Sequence, residues 1–119
     1  MEQNEILILH GTDYAAMANQ LLRAADVAAR IGDRRRVVAL KPNLVVDAPA
    51  SGGATTHPEL VAGTIEYLHE NGFQNLRVME SSWVGCWTAE ACEANGPRAV
   101  CGRYRGSVRR FAAGHEPYL

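Results

Sequence analysis

Three short apolar segments, separated by two longer amphipathic ones, constrain the fold of this chain most strongly. The apolar segments are residues 5–10, 36–41 and 75–80, each of a length typical of a strand buried on both faces. Between them, apolar residues recur at spacings of three and four, as in an amphipathic helix. The order predicts an α/β fold. We expect a three-layer-type parallel sheet of about three strands, with helices in right-handed β-α-β-α-β connections.

Capping residues indicate where the two expected helices begin and end. Asp13 is the predicted N-cap of the first helix, and Gly32 is its C-terminal stop. Two alternatives are open for the second helix. Thr56 and Glu59 form a capping box, whereas Pro58 favours the first helical position, which would make His57 the cap.

Length and charge exclude several classes of protein. The 119 residues suit one small domain, and a formal net charge of −1 argues against a nucleic-acid partner. The sequence contains neither an apolar run of membrane-spanning length nor a signal peptide, so we expect a cytoplasmic protein without a membrane partner. We assign residues 1–97 to the α/β domain and residues 98–119, with five arginines and no clear periodicity, to an irregular tail.

The three cysteines are spaced six and nine residues apart, at Cys86, Cys92 and Cys101. This spacing fits neither a disulfide framework nor a Cys-x-x-Cys metal or cluster site. The sequence therefore predicts no metal site and no iron–sulfur cluster in this chain.

Polar residues follow the second and third predicted strands and begin the second helix. Because ligands of parallel sheets bind beyond the carboxyl ends of the strands, these residues form the candidate site. They are Lys41, Asn43, Thr55, Thr56, His57, Glu80 and Ser81. The alternative role for most of them is structural, in ending strands and capping the helix.

The chemistry of these residues suits a small anion or a metal-linked ligand. Lys41, the only lysine of the chain, would pair with the anion, and the helix start at Thr55 and Thr56 would surround it. Glu80 or His57 would handle a proton or a cation. No enzyme class follows from this set.

Three blocks of sequence resemble the domain of unknown function 362 family. They are VALKPNLV at residues 38–45, GATTHPELV at 53–61 and ESSWVG at 80–85. The resemblance covers residues 5–92 or so and is lost after about residue 104. It implies that this chain is an incomplete, N-terminal part of a larger α/β domain, and it supports the candidate site. Longer members of the family carry a ferredoxin-like domain. An iron–sulfur-associated redox role, which would need a segment or partner absent here, is therefore an alternative function.

The tail suggests a further alternative. Residues 105–115 are compatible with codons that, read one base later, spell a turn followed by an apolar strand. A frameshift would make the chain a truncated product without an activity of its own. The sheet would then end beside its third strand with an unpaired edge, and we expect a homo-oligomer to cover that edge.

Overall fold

The computed structural model describes residues 4–43, 49–80 and 107–110; for Glu80 and residues 107–110 the description covers the backbone alone. In chain order the elements are helices α1 (Tyr14–Ala24) and α2 (Val27–Ile31), strand β1 (Val38–Leu40), a 3₁₀ turn (Ala50–Gly52), helix α3 (Pro58–Glu70), and strands β2 (Leu76–Glu80) and β3 (Ser107–Arg110).

The sheet is parallel, with β2 at its centre between β1 and β3. Leu40 of β1 is in register with Val78 of β2, and Glu80 of β2 is in register with Arg110 of β3. Helices and parallel strands together confirm the α/β class expected from the alternating segments.

The expected first strand at residues 5–10 does not form, so that prediction was wrong, and the β-α-β-α-β order is not found in the described residues. Ile6 is 82% exposed and Ile8 is 74% exposed. An apolar run becomes a strand only when another strand pairs with it, and β1 pairs with β2 alone in the described sheet. The homo-oligomer expected to cover an unpaired sheet edge stays a prediction.

The tail from residue 98 was expected to be irregular. Within it, the backbone of Ser107–Arg110 forms β3, which pairs in parallel with β2. Local periodicity did not predict this strand, because a four-residue segment with two arginines has no buried alternation to detect.

The predicted ends of the helices agree in part with the structure. Asp13 caps α1, its Oδ1 accepting a hydrogen bond from the Ala16 N–H at 3.0 Å. The first helical segment is broken at Asp26, whose φ of 51° lies in the left-handed region, and α2 then ends at Gly32. For α3 the structure takes the second of the two alternatives, with His57 as N-cap and Pro58 at the first helical position.

The core is built around α3, which packs between α1 and the sheet. Its fully buried Ile65 and Leu68 join Phe73 and the β2 residues Leu76 and Val78 in one cluster. This packing fixes α3 over β1 and thereby sets the walls of the cavity described below. Across the described ranges, no helix has the length and apolar character needed to cross a membrane.

Candidate functional site

Lys41 directly follows β1 and lines an open cavity of about 290 Å³ at the carboxyl end of that strand. Its side chain is exposed to solvent. Two hydroxyl side chains, those of Thr56 and Thr64, share the lining with it. The remaining described lining residues are apolar: Ala39, Leu40, Pro42, Leu60 and Val61.

Two hydrogen bonds join Asn43, which follows Lys41 by two positions, to Thr56. The Asn43 N–H donates to Thr56 Oγ1 at 2.8 Å, and the Thr56 N–H donates back to the Asn43 carbonyl oxygen at 2.7 Å. Asn43 Nδ2 also donates to the Ala54 carbonyl oxygen at 3.2 Å. Lys41 and Thr56 are far apart in sequence. These bonds bring Thr56 to Asn43, close to Lys41 in the chain, and Thr56 and Lys41 line the same cavity.

Thr55 and Thr56 have different environments. Thr55 is buried, with 6% of its surface exposed, whereas Thr56 is half-buried and lines the cavity. The helix begins after both of them, at Pro58, which has no N–H to offer. The N–H of Leu60, two residues after Pro58, donates to the His57 carbonyl oxygen at 3.0 Å. The start of α3 therefore offers fewer backbone N–H groups to a ligand than a helix beginning at Thr56 would offer.

His57 faces the beginning of α1. Its ring centroid lies 4.3 Å from that of Tyr14, with the rings tilted by 38°. His57 Nδ1 is 3.8 Å from Glu59 Oε2. The described cavity lining does not include His57, so the structure places this histidine beside the candidate site and against α1.

Glu80 and Ser81 cannot be placed in the same detail. The backbone of Glu80 ends β2, and the register of Leu40 with Val78 brings the ends of β1 and β2 to one edge of the sheet. The Glu80 side chain and Ser81 lie outside the described residues.

At the other end of β1 a carboxylate is stabilised in its charged form. The backbone N–H of Arg35 and then its guanidinium hydrogen-bond to Asp33 and hold the pKa of that carboxyl below its ordinary value of 3.8. This pair precedes the strand, whereas Lys41 follows it. Asp33 is therefore not part of the candidate site.

Metal ligands do not converge in the described part of the chain. No three His, Cys, Asp or Glu side chains there are close enough together to hold a metal ion. The three cysteines lie outside the described residues, and their spacing of six and nine does not match a Cys-x-x-Cys cluster motif.

Of the eight described lining residues, sequence reasoning predicted two, Lys41 and Thr56, and missed the other six: Ala39, Leu40, Pro42, Leu60, Val61 and Thr64. In the sequence, Thr64 is a hydroxyl residue among apolar residues at helical spacing, Val61, Ile65 and Leu68. A polar side chain on an otherwise apolar helix face is the sequence feature that could have identified Thr64 as a cavity residue. Leu60 carried none, because its place in the cavity depends on how α3 packs over β1.

Comparison with known proteins gives one match. The family model described as "Domain of unknown function (DUF362)" matches residues 38–117, about two thirds of the chain. No curated protein and no solved structure matches it. The matched range starts at β1, includes the cavity residues and continues through β3. The chain therefore belongs to the domain of unknown function 362 family.

Proposed function

We propose that this protein binds a small anion in the cavity at the carboxyl end of β1. The observation that carries the proposal is the position of Lys41, which lines that cavity with an exposed side chain. An ammonium group at the rim of a partly apolar cavity attracts an anion and forms charge-assisted hydrogen bonds with it.

Thr56 supplies the second polar contact. Its hydroxyl oxygen accepts the Asn43 N–H, and a hydroxyl that accepts one bond still has its own hydrogen to donate. The reciprocal Asn43–Thr56 bonds hold this hydroxyl in place, which lowers the entropy that ordering it on binding would cost. Asn43 therefore acts as a positioning residue.

Glu80 and Ser81 are candidates for a wider site at the same edge of the sheet. The register of β1 with β2 supports this, because the last residue of β2 follows Val78, the partner of Leu40, by two positions. A carboxylate there would serve a ligand that brings its own cation. His57 directly follows Thr56 but is held against Tyr14 outside the described cavity lining, so it would serve as a proton donor or acceptor only for a ligand that extends beyond the cavity.

Calorimetric titration with acetate and with inorganic phosphate tests the proposal. Lys41→Met should weaken binding of whichever anion the parent protein binds by at least about tenfold, because a hydrogen bond from a charged donor is lost. Arg36→Met is the matched control, since it also removes one positive charge but at the amino end of β1. Equal losses in the two variants would show non-specific attraction and would overturn the proposal.

A further inference from the structure

We infer that the ligand of this cavity is a small organic carboxylate with a short apolar body. This inference rests on the proposed function and narrows it to one chemical class. Five of the eight described lining residues are apolar, and they come from both walls, Ala39 and Leu40 from β1 and Leu60 and Val61 from α3. An inorganic anion would leave these walls in contact with water, whereas an apolar body would cover them.

The cavity offers fewer hydrogen-bond donors to a ligand than its three polar lining residues suggest. Thr64 Oγ1 donates to the Leu60 carbonyl oxygen at 2.8 Å, so its hydrogen is already used within the helix and its methyl group adds to the apolar wall. The ammonium group of Lys41, which carries three hydrogens, and the hydroxyl of Thr56 can donate to a ligand, and both residues lie beside the Asn43–Thr56 hydrogen bonds. The cavity therefore has a polar end and an apolar remainder.

The number of donors favours a carboxylate over a phosphate. A phosphate has more oxygens to satisfy and is usually held by several backbone N–H groups at a helix start. Of the first three residues of α3, Pro58 has no N–H and the Leu60 N–H is donated to the His57 carbonyl oxygen, so Glu59 alone has an N–H that these features do not remove. A single backbone N–H falls short of the several that usually hold a phosphate, whereas one ammonium and one hydroxyl suffice for the two oxygens of a carboxylate.

The volume limits the length of the ligand. At about 290 Å³ the cavity lies just below the range of roughly 300–1,000 Å³ that is usual for ligand sites. An acid with a few carbon atoms fits a cavity of this size.

The test is calorimetry of the full chain with acetate, propionate, butyrate and 3-methylbutanoate. Affinity should rise roughly fourfold with each added methylene group until the cavity is filled. The neutral amide 3-methylbutanamide should bind at least about tenfold more weakly than the acid, and Lys41→Met should abolish that difference.

A variant of the apolar wall provides a second readout. Leu60→Ala should weaken the binding of 3-methylbutanoate by about tenfold or more while leaving that of acetate nearly unchanged. Leu21→Ala is the matched control, because Leu21 is also half-buried in a helix but lies in α1, away from the described cavity lining. Circular dichroism of both variants shows whether they are folded.

The outcomes separate the inference from the proposed function. Affinities independent of chain length, or phosphate binding more tightly than 3-methylbutanoate, would overturn the inference and leave the anion site standing. Equal binding of the acid and its amide would overturn both, as would the absence of binding by all of these anions.

Discussion

Gly63 of α3 lies directly against the backbone of Ala15 in α1. A Cβ atom at position 63 would overlap the Ala15 carbonyl oxygen and would be 2.7 Å from the Ala15 Cα. The absence of a side chain at Gly63 thus lets the two helices approach each other closely. Because α3 also covers β1, this approach helps to define where the cavity walls stand.

Gly63→Ala should therefore destabilise the protein. The added methyl group meets backbone, which cannot move aside as a side chain would, and overpacking of this kind costs about 1–3 kcal/mol. The free energy of unfolding, measured in urea, should fall by that amount.

Gly52→Ala is the control for this substitution. A Cβ at Gly52 meets no atom within 4 Å, and Gly52 is not among the glycines with positive φ. The free energy of unfolding of the Gly52→Ala variant should be unchanged or slightly raised. Equal effects of the two substitutions would contradict the close approach of α1 and α3.

Tyr67 supplies a hydrogen-bond acceptor to the start of α2. Its buried hydroxyl oxygen accepts the Ala28 N–H at 2.9 Å, and the N-cap of that helix, Asp26, makes no side-chain cap bond. Tyr67→Phe should cost about 1–3 kcal/mol, because it leaves a buried N–H without an acceptor. Urea unfolding measures this loss. Tyr14→Phe removes the same atom from a partly exposed ring and should cost much less; the reverse order would contradict the capping role.

Arg34 connects the ends of α2 and α3 through its side chain. Its Nε donates to the Asn71 carbonyl oxygen at 2.9 Å and its Nη1 to that of Ala28 at 3.1 Å, with a further bond to Gly32. Its guanidinium carbon also lies 4.7 Å from the Phe73 ring centroid.

We expect Arg34→Met to lower the free energy of unfolding by about 1–3 kcal/mol, because helix-end carbonyls lose a charged donor. Arg36→Met removes an exposed arginine two positions along and should change stability by less than about 0.5 kcal/mol. Thermal or urea unfolding of the two variants makes the comparison. Similar losses would show that net charge matters rather than these hydrogen bonds.

Asp33 should titrate below its ordinary pKa of 3.8 in the folded protein. The backbone N–H of Arg35, at 2.9 Å from Oδ1, is the largest cause, followed by the Arg35 side chain. Because the folded pKa is the lower one, the stability that Asp33 contributes is present above the unfolded pKa and is lost as the pH falls through the folded value.

Carbon-detected NMR titration of the Asp33 carboxyl tests this account. In Arg35→Met the pKa of Asp33 should rise only in part, because the backbone hydrogen bond remains. Arg36→Met should raise it less, since Arg36 acts by charge alone and is the smallest cause. A full return to the ordinary value in Arg35→Met would show that the side chain, rather than the backbone, sets the shift.

Features that depend on neighbouring residues were predictable from the sequence. Asp13 caps α1 and Gly32 ends α2, because capping is a contact within one turn of helix. Residues 5–10 show the opposite case. Their apolar character was clear, but forming a strand requires an edge to pair with, and no local pattern supplies that information.

Thr55 and Thr56 show how far the sequence alone can predict the candidate site. They are adjacent and chemically identical, yet one is buried and the other lines the cavity beside Lys41. Thr56 is joined to Asn43 by hydrogen bonds that span 13 positions of the chain, a contact that no local pattern predicts. The sequence could thus predict the sheet edge and its lysine, but not which threonine accompanies it.

Reductive methylation with ¹³C-formaldehyde, followed by NMR, tests the central claim most directly. The label enters Lys41, the only lysine, and the N-terminal amine, and it keeps the positive charge of both. The anion site predicts that the Lys41 methyl signal shifts saturably with acetate, at lower concentration with 3-methylbutanoate, while the N-terminal signal stays nearly still. If acetate, phosphate and 3-methylbutanoate all leave the Lys41 signal unmoved, or shift both signals alike, Lys41 does not bind an anion at the end of β1.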